Sequence, residues 1–244
     1  MNKAAPMSRI GFFTSPQHPC GYLEGIEATT LFADPRVQLN TATYSRLSAH
    51  GFRRSGAHVY RPHCMACRAC TAVRVNAAEF VPRRIHRRTL QKNADISVVE
   101  CADEFSDEQF ALYEAYLNAR HPDSQMEAGS PDAYLGFLTA PWTDTSFYEF
   151  RLADELVAVA VVDKLNGALS SVYTFFSPQY PERSLGRLAI LKQIEWARIH
   201  RLSWVYLGYW IEQSPKMAYK NEYQPLEYFY GGTWQPAPAS GCVA

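Results

Sequence analysis

The second half of the chain shows a helical pattern of apolar residues followed by strand patterns. Residues 107–121, DEQFALYEAYLNARH, place apolar side chains three to four positions apart, which predicts an amphipathic helix. Residues 147–177 then form β-branched and aromatic runs, which predict strands. These runs break at Ala153–Asp154 and at Asn166–Gly167, and Asn-Gly is a strong hairpin signal.

A second helix and a final strand follow. SLGRLAILKQIEWARIHRL, residues 184–202, predicts a helix with Ser184 as its N-cap. SWVYLGYWI, residues 203–211, predicts a short buried strand. The order helix, strands, helix, strand indicates an α/β or α+β fold with a largely covered sheet.

The first half of the chain is less regular. Residues 37–52 predict a strand and then a short helix that ends at Gly51. Residues 58–62 and 71–80 predict short strands on either side of a cysteine-rich stretch. Residues 83–95, RRIHRRTLQKNAD, predict a basic helix or an extended basic segment.

Charge divides the chain more sharply than the apolar pattern does. The formal net charge is zero, yet residues 51–92 hold ten Lys or Arg and one acid, a net of +9. Residues 93–163 hold two Arg and fifteen acids, a net of −13. This uneven distribution of charge indicates a basic face that binds a polyanion. Two solvated faces of opposite charge would give the same distribution. The switch predicts a smaller N-terminal lobe over residues 1–100 and a second lobe over residues 101–244.

Composition narrows the class of protein. Hydrophobic residues at 47% and charged residues at 20% are typical of a soluble globular chain. No apolar run approaches the roughly 18 residues of a membrane span, and the N-terminus lacks a signal-peptide core. We therefore expect a cytoplasmic protein with no membrane partner. Six cysteines in that setting favour free thiols or metal ligands over a disulfide framework.

The stretch YRPHCMACRAC, residues 60–70, is the strongest candidate metal site. Its C-x-x-C-x-x-C spacing lets thiolates converge on one Zn ion and is also typical of iron–sulfur ligation. A cluster of small, half-buried thiols would give the same pattern. His18 and His63 are alternative fourth ligands. The four predicted ligands are Cys20, Cys64, Cys67 and Cys70.

Residues 182–191, ERSLGRLAIL, resemble the pyrophosphate-binding loop of acetyltransferases, at the start of the predicted helix. A capped helix after a glycine turn would look similar. That motif ends in a small residue, whereas this chain has Leu188 at the corresponding position. A bulky side chain there should obstruct a pyrophosphate, so we expect an acetyltransferase-like (GNAT-like) C-terminal lobe with a degraded coenzyme A site.

Taken in order, these pieces resemble one family over nearly the whole chain, the aminoacyl-tRNA–protein transferases of the N-end rule. Leu23 stands where the eukaryotic arginyl-transferring branch has a second cysteine in C-G-Y-C, so the resemblance is to the bacterial leucyl-transferring branch. The matching stretches are CGYL (20–23), GFRRSGAHVYRPHC (51–64), the cysteine motif, RRTLQKNAD (87–95), ARH (119–121), SSVYTFFSP (170–178), SLGRLAILKQIEWA (184–197) and YLGYWIEQSPKMAYKNEYQPLEY (206–228).

The resemblance implies an enzyme that transfers Leu from Leu-tRNA to the N-terminal α-amine of proteins beginning with Asp or Glu, marking them for degradation. It implies that aminoacyl-tRNA replaces coenzyme A and that the transfer itself needs no cofactor. Arginyl transfer by the same mechanism, an acyl-CoA-dependent N-acyltransferase, and a non-catalytic metal-knuckle module that binds tRNA remain the alternatives.

The chemistry of that reaction indicates which residues to test. An acidic first residue needs a cationic pocket, which Arg makes best, and tRNA phosphates need a basic surface. The reaction centre needs groups that move a proton or stabilise an oxyanion. The predicted acceptor residues are Arg54, Arg61 and Arg74; the tRNA residues are Arg83, Arg84, Arg87, Arg88 and Lys92; the reaction-centre residues are Tyr173, Tyr209, Lys216 and Lys220.

Overall fold

An eight-stranded mixed sheet, covered by helices, organises the fold. The computed structural model describes residues 10–120 and 129–236. The predicted mixed α/β class is confirmed. None of the helices in these two ranges is both long enough and apolar enough to cross a membrane.

The described residues form fourteen strands and six helices. The strands are β1 Phe12–Thr14, β2 His18–Pro19, β3 Glu27–Ala28, β4 Thr30–Ala33, β5 Arg53–Ser55, β6 His58–Pro62, β7 Thr71–Asn76, β8 Ile96–Cys101, β9 Asp144–Leu152, β10 Glu155–Leu165, β11 Ala168–Phe176, β12 Trp204–Trp210, β13 Leu226–Tyr230 and β14 Thr233–Pro236. The helices are α1 Thr41–Ala49, α2 Arg84–Lys92, α3 Asp107–Arg120, α4 Pro131–Leu138, α5 Leu185–Ile199 and α6 Pro215–Ala218. Two 3-10 turns lie at Pro181–Arg183 and Tyr219–Glu222.

The large sheet contains strands from both halves of the chain. Its order is β14-β13-β7-β12-β11-β10-β9-β8, in which only β11 and β12 are parallel. Strand β7 lies between β12 and β13, and β8 forms the far edge beside β9. The predicted lobe boundary at residue 100 therefore does not coincide with a break in this sheet.

Helices cover both faces of the sheet's centre. Helix α5 packs Leu188 and Ile194 into one core with Val205 of β12. Helices α3 and α4 pack Tyr113 and Tyr134 into a second core on the other face. Strand β10 is buried from Leu156 to Asp163 without alternation, as expected of a strand with both faces covered.

A smaller sheet, β1-β4-β6-β5, lies beside the large one and is built from the first sixty or so residues. The cysteine motif forms the connection from β6 to β7, so it joins the two sheets. Helix α1 packs between the small sheet and the β10–β11 hairpin, with Tyr44 and Leu47 in the third core.

Local predictions hold best where the signal is strong. The Asn166–Gly167 turn joins β10 and β11, and Gly167 takes the positive φ of +73° that such a turn requires. Ser184 does precede α5, but it adopts φ +55° and its side chain makes no capping hydrogen bond. The strand predicted before α1 is not found in the described residues. Residues 37–40 lead directly into the helix, and Asn40 caps it.

Strands β11 and β12 pair only at their start. The parallel ladder joins Ala168–Ser170 to Trp204–Tyr206 and then ends. The register of β11 against β10 shifts around Val172, and that of β12 against β7 shifts between Tyr206 and Gly208. The two strands diverge beyond these irregularities, and we call the space between Ser171–Phe176 and Leu207–Trp210 the β11–β12 gap.

Candidate functional site

Arg53, the first residue of β5, enters the β11–β12 gap from the small sheet. Its Nη2 donates a hydrogen bond to the Val172 carbonyl oxygen at 2.8 Å. Gly208, at φ +75°, makes room for the guanidinium, because a Cβ there would lie 2.9 Å from Arg53 Nη1. The Arg53 guanidinium therefore occupies part of the gap, where it contacts the backbone of β11 and lies in the space left by Gly208 on β12.

Lys220 lies against the same gap and is 4% exposed. Its Nζ donates to the Tyr209 carbonyl oxygen at 2.5 Å and lies 3.3 Å from Met217 Sδ. Burial lowers the pKa of Lys220 to about 7, and the positive charge of Arg53 contributes to that lowering. Such an amine is poised to gain or lose a proton near neutral pH, which is the property of a catalytic base.

The other predicted reaction-centre residues differ in their surroundings. The Tyr209 hydroxyl lies 3.1 Å from the carbonyl oxygens of both Gly51 and Tyr60, so it ties β12 to the small sheet. Tyr173 lies on β11 in the gap, and burial raises its pKa, so its hydroxyl stays protonated. Lys216 is exposed on α6. The structure thus joins Tyr209 and Lys220 at the gap and leaves Lys216 outside it. The Tyr173 ring packs against Tyr113 and Phe137 of the second core.

Arg54 does not face a pocket. It is 1% exposed, and Nε and Nη2 each lie 2.6 Å from a carboxylate oxygen of Asp163. The same guanidinium also donates to the carbonyl oxygen of Leu138 and to the Thr145 hydroxyl. Because these internal partners occupy its donors, Arg54 is not available to bind a substrate.

Arg74 is likewise committed to internal partners. Its guanidinium donates to Glu227 at 2.6 and 2.8 Å and is stacked between two indole rings, with Cζ 3.6 Å from the Trp204 centroid and 4.4 Å from the Trp234 centroid. Of the predicted acceptor residues Arg54, Arg61 and Arg74, only Arg61 is therefore without a carboxylate partner in the described ranges.

Arg61 and the cysteine motif share a surface pocket beside the gap. Arg61 lies 4.9 Å from the Phe52 ring centroid, and its Nη1 donates to the His50 carbonyl oxygen at 3.4 Å. Tyr209 forms a wall between this pocket and the gap. The three motif cysteines, Cys64, Cys67 and Cys70, all line the pocket.

The thiols are near one another without forming a metal site. Burial raises the pKa of Cys70 to about 12, and the neighbouring thiols of Cys20, Cys64 and Cys67 contribute to that rise. Four soft donors suit Zn or an iron–sulfur cluster. In the described ranges, however, no three Cys, His, Asp or Glu side chains are arranged to hold a metal ion. The residues as placed therefore do not fit a tetrahedral ion.

Helix α2 carries the basic run on an exposed face. Arg84 and Arg88 are exposed, while Arg83, Arg87 and Lys92 donate to backbone carbonyl oxygens of Glu222, Pro82 and Glu182. None of these five side chains forms an ion pair with a carboxylate of the described residues. Their charge is therefore left for an outside anion.

A groove runs between α2 and the start of α5. Arg88 and Lys92 line it on one side, and Arg183 and Arg187 on the other. Arg183 is paired with Asp95, and Arg187 with Glu222. The uncompensated positive charge of the groove therefore comes from the α2 side.

The prediction that the Leu188 side chain obstructs a bound pyrophosphate is wrong. Its side chain is 1% exposed and packs in the core under α5, so it points away from the start of the helix and does not obstruct it.

Sequence reasoning missed Arg53. It sits next to Arg54 in the pair RR, and only the alternation of side chains along β5 separates a buried arginine from one in the gap. The signal that could have found it is Gly208, a glycine inside an otherwise bulky strand, which often marks a close approach by another group.

Two family descriptions match the chain in tandem. Residues 18–88 match "Arginine-tRNA-protein transferase, N terminus", and residues 108–230 match "Arginine-tRNA-protein transferase, C terminus".

Curated relatives match nearly the whole chain. A protein of Alcanivorax borkumensis named aspartate/glutamate leucyltransferase is 52% identical over 94% of this chain and 95% of its own length. Proteins of the same name from Teredinibacter turnerae and Saccharophagus degradans are 48% and 44% identical, over 97% and 93% of this chain and 98% and 97% of their own lengths.

Similarity to solved structures is lower. The C-terminal domain of a lysylphosphatidylglycerol synthetase from Agrobacterium fabrum aligns with a TM-score of 0.47 at 15% identity, covering 59% of this chain and 47% of that chain. A tandem GNAT protein from the clavulanic acid biosynthesis pathway aligns with a TM-score of 0.43 at 14% identity, covering 88% of this chain and 59% of that chain.

Proposed function

The chain belongs to the arginine-tRNA-protein transferase family, and we propose that it transfers Leu from Leu-tRNA to the N-terminal α-amine of proteins that begin with Asp or Glu. The name shared by relatives at 44 to 52% identity over most of the chain carries this choice of donor and acceptor. The product is a protein with a new N-terminal Leu, which marks it for degradation, and a free tRNA.

The reaction exchanges an ester for an amide. The acceptor's α-ammonium loses a proton, its nitrogen bonds to the carbonyl carbon of the leucyl ester, and the bond to the tRNA 3′ oxygen breaks. That oxygen takes up a proton as it leaves. Because the ester is already activated, the protein mainly has to orient the two reactants and assist the proton transfer.

Lys220 is the group best suited to accept the proton. Its pKa near 7 leaves a sizeable neutral fraction at physiological pH, whereas an exposed lysine is almost wholly charged. Its place against the β11–β12 gap supports a role close to the reacting amine. No step of this route passes through a metal at the cysteine motif.

The gap itself supplies groups for the oxyanion. Beyond Ser170 and Tyr206 the facing backbone edges of β11 and β12 no longer pair with each other, so their N–H groups are free to point at a ligand. The Tyr173 hydroxyl makes no hydrogen bond within the described ranges and remains a donor, since its pKa is raised. We propose these groups as the oxyanion site.

The α2 surface is proposed as the tRNA site. Five unpaired cations on one helix and its flank can follow a phosphate backbone, and binding of this kind weakens steeply with salt. The groove between α2 and α5 places these charges next to the start of α5, on the opposite side of that helix's first turn from the core.

The cysteine pocket stays a proposed structural or metal-binding element next to the acceptor side. Metal binding would require the four thiols to move closer together and to lose their protons. Elemental analysis and the visible spectrum of anaerobically purified protein distinguish the two roles. A metal-free and colourless protein would contradict metal binding and leave the structural role.

The function is tested by offering charged Leu-tRNA and Arg-tRNA in parallel to peptides that start with Asp, Glu, Lys or Ala. We expect Leu to be transferred to the Asp and Glu peptides only. Equal use of Arg-tRNA would contradict the choice of donor. Tight binding of acetyl-coenzyme A by calorimetry, with no transfer from any tRNA, would contradict the family activity for this chain.

A further inference from the structure

The β11–β12 gap holds the guanidinium of Arg53 and, beside it, the amine of Lys220. Arg53 and Lys220 are close enough for the charge of one to lower the pKa of the other. Neither forms an ion pair with a carboxylate among residues 10–120 and 129–236. Buried charges are normally paired, so this arrangement is costly unless an anion enters from outside.

The side chains around Arg53 do not replace that anion. Tyr22, Tyr60 and Tyr209 surround the guanidinium, but phenols are neutral at physiological pH and offer only weak dipoles. Within the described part of the chain, the positive charge in the gap is therefore uncompensated.

Arg53 keeps most of its donors for a ligand. Within the described ranges it makes a single hydrogen bond, to the Val172 carbonyl oxygen, out of the five that a guanidinium can donate. Its Nε and Nη1 have no acceptor there, and the residue is half-buried, so both nitrogens keep donors for a ligand. The side chain is anchored at one nitrogen and free at the others, as a preorganised receptor should be.

The other guanidiniums near this end of the molecule are less suited to the task. Arg54 is saturated by Asp163, and Arg74 by Glu227. Arg61 lies outside the gap, behind Tyr209, and rests on the Phe52 ring. Arg53 alone among these four reaches the place where the parallel strands separate.

From this geometry we infer that Arg53 binds the side-chain carboxylate of the acceptor's first residue in the β11–β12 gap. The inference rests on the proposed function, because that function brings an acidic acceptor to this gap. A carboxylate is favoured over a tRNA phosphate here, since the unpaired cations of α2 provide a separate surface for phosphates. Gly208 is a positioning residue in this scheme, because it leaves the space that the guanidinium occupies.

The test compares acceptor peptides that begin with Asp and with Asn, which have the same shape and differ in charge. For the wild type, kcat/KM should strongly favour the Asp peptide. In Arg53→Gln, kcat/KM for the Asp peptide should fall about 10- to 100-fold, mainly through KM, while the Asn peptide is used as before. Leu-tRNA affinity should stay unchanged.

Two further variants sharpen the result. Arg53→Lys keeps the charge but not the planar fork, so it should retain part of the Asp preference. Arg36→Gln, which removes an exposed guanidinium paired with Asp34, is the matched control and should keep the full preference. The near-ultraviolet and far-ultraviolet circular dichroism of every variant establishes that it is folded.

Three results would overturn the inference. The first is an Asp-to-Asn ratio that Arg53→Gln leaves unchanged. The second is a loss of the ratio in Arg61→Gln instead, which would place the receptor in the cysteine pocket. The third is weakened Leu-tRNA binding with an intact ratio, which would make Arg53 a phosphate-binding residue. If the wild type transfers Leu to no peptide, the proposed function fails, and calorimetric binding of the Asp and Asn peptides still tests Arg53 by itself.

Discussion

Arg53 and Arg54 are adjacent on one short strand, yet they occupy opposite kinds of site. Arg54 is enclosed, and two of its nitrogens meet Asp163 at 2.6 Å each. Arg53 has one carbonyl partner and no carboxylate within the described ranges. One site is complete in the free protein and the other is left open. The difference identifies Arg54 as part of the scaffold and Arg53 as part of the candidate site.

The two sites also differ in what their charges do to stability. A closed ion pair with all hydrogen bonds made resists disruption, because removing one partner strands a buried charge. At the open site, the buried Lys220 destabilises the fold while its amine is charged, and activity is commonly gained at such a cost. Removing charge should therefore have opposite effects on stability at the two sites.

The largest expected effect is at the closed site. Asp163→Ala leaves the Arg54 guanidinium buried and unpaired, so the free energy of unfolding should fall by about 3 to 5 kcal/mol. Urea unfolding followed by circular dichroism measures this. Asp34→Ala, which breaks the exposed pair with Arg36, is the control and should change the unfolding curve little. Similar curves for the two variants would show that the enclosed pair contributes no more to stability than an exposed pair does.

The second effect is at the open site and has the opposite sign. The folded pKa of Lys220, about 7, lies below the value near 10.4 of an unfolded lysine. The unfolded chain therefore binds more protons between these values, and wild-type stability rises with pH across that window. Lys220→Met should be more stable than the wild type by on the order of 4 kcal/mol below pH 7, with the difference vanishing near pH 10.

The control for that series is Lys192→Met, at a lysine paired on the surface with Glu195, which should change the unfolding curve little. The same Lys220→Met protein should lose roughly 100-fold or more in kcat. In the wild type, kcat should rise as pH increases through 7, since the neutral amine accepts the proton. A variant that is both less stable and fully active would contradict the assignment.

A smaller effect is expected at Arg74, which tests whether a second closed site behaves like that of Arg54. Arg74→Met removes the ion pair with Glu227 and the stacking on Trp204 and Trp234, so stability should fall by about 1 to 2 kcal/mol. The Asp-to-Asn preference of the enzyme should be unaffected. A lost preference in a folded Arg74→Met protein would return this residue to the acceptor pocket.

The smallest effect is expected on α2, whose cations have no carboxylate partner in the described ranges but are exposed to solvent. Arg88→Gln should weaken tRNA binding modestly and reduce the slope of log K against log salt concentration by about 0.9 for each phosphate that the variant no longer neutralises. Filter-binding or anisotropy titrations across several salt concentrations measure it. An unchanged slope would show that this end of the α2 surface does not touch the tRNA.

Sequence patterns predicted the parts of the fold that depend on local signals. Helices α3 and α5 follow from helical spacing, and the β10–β11 hairpin follows from Asn166–Gly167. The pairing of β7 with β12 and β13 was not predictable in this way. Those strands are distant in the sequence, and strand pairing across such a distance leaves no short-range pattern.

The candidate site was predictable to the same extent. Lys220 and Tyr209 were predicted as reaction-centre residues because a cluster of Tyr and Lys follows the last strong strand. The residues Arg54 and Arg74 were misplaced because their partners are 109 and 153 positions away in the sequence. An arginine's role depends on whether a carboxylate reaches it, and the fold alone determines that.

The position of β7 in the middle of the large sheet has a consequence for synthesis on the ribosome. Strand β7 ends at Asn76, while β12, its neighbour in the sheet, begins only at Trp204. At ordinary rates of translation the ribosome needs on the order of 10 s to supply that intervening length. During this interval both edges of β7 lack their partners, a state that invites pairing with other chains. The nascent protein is therefore expected to depend on chaperones until its last third has emerged.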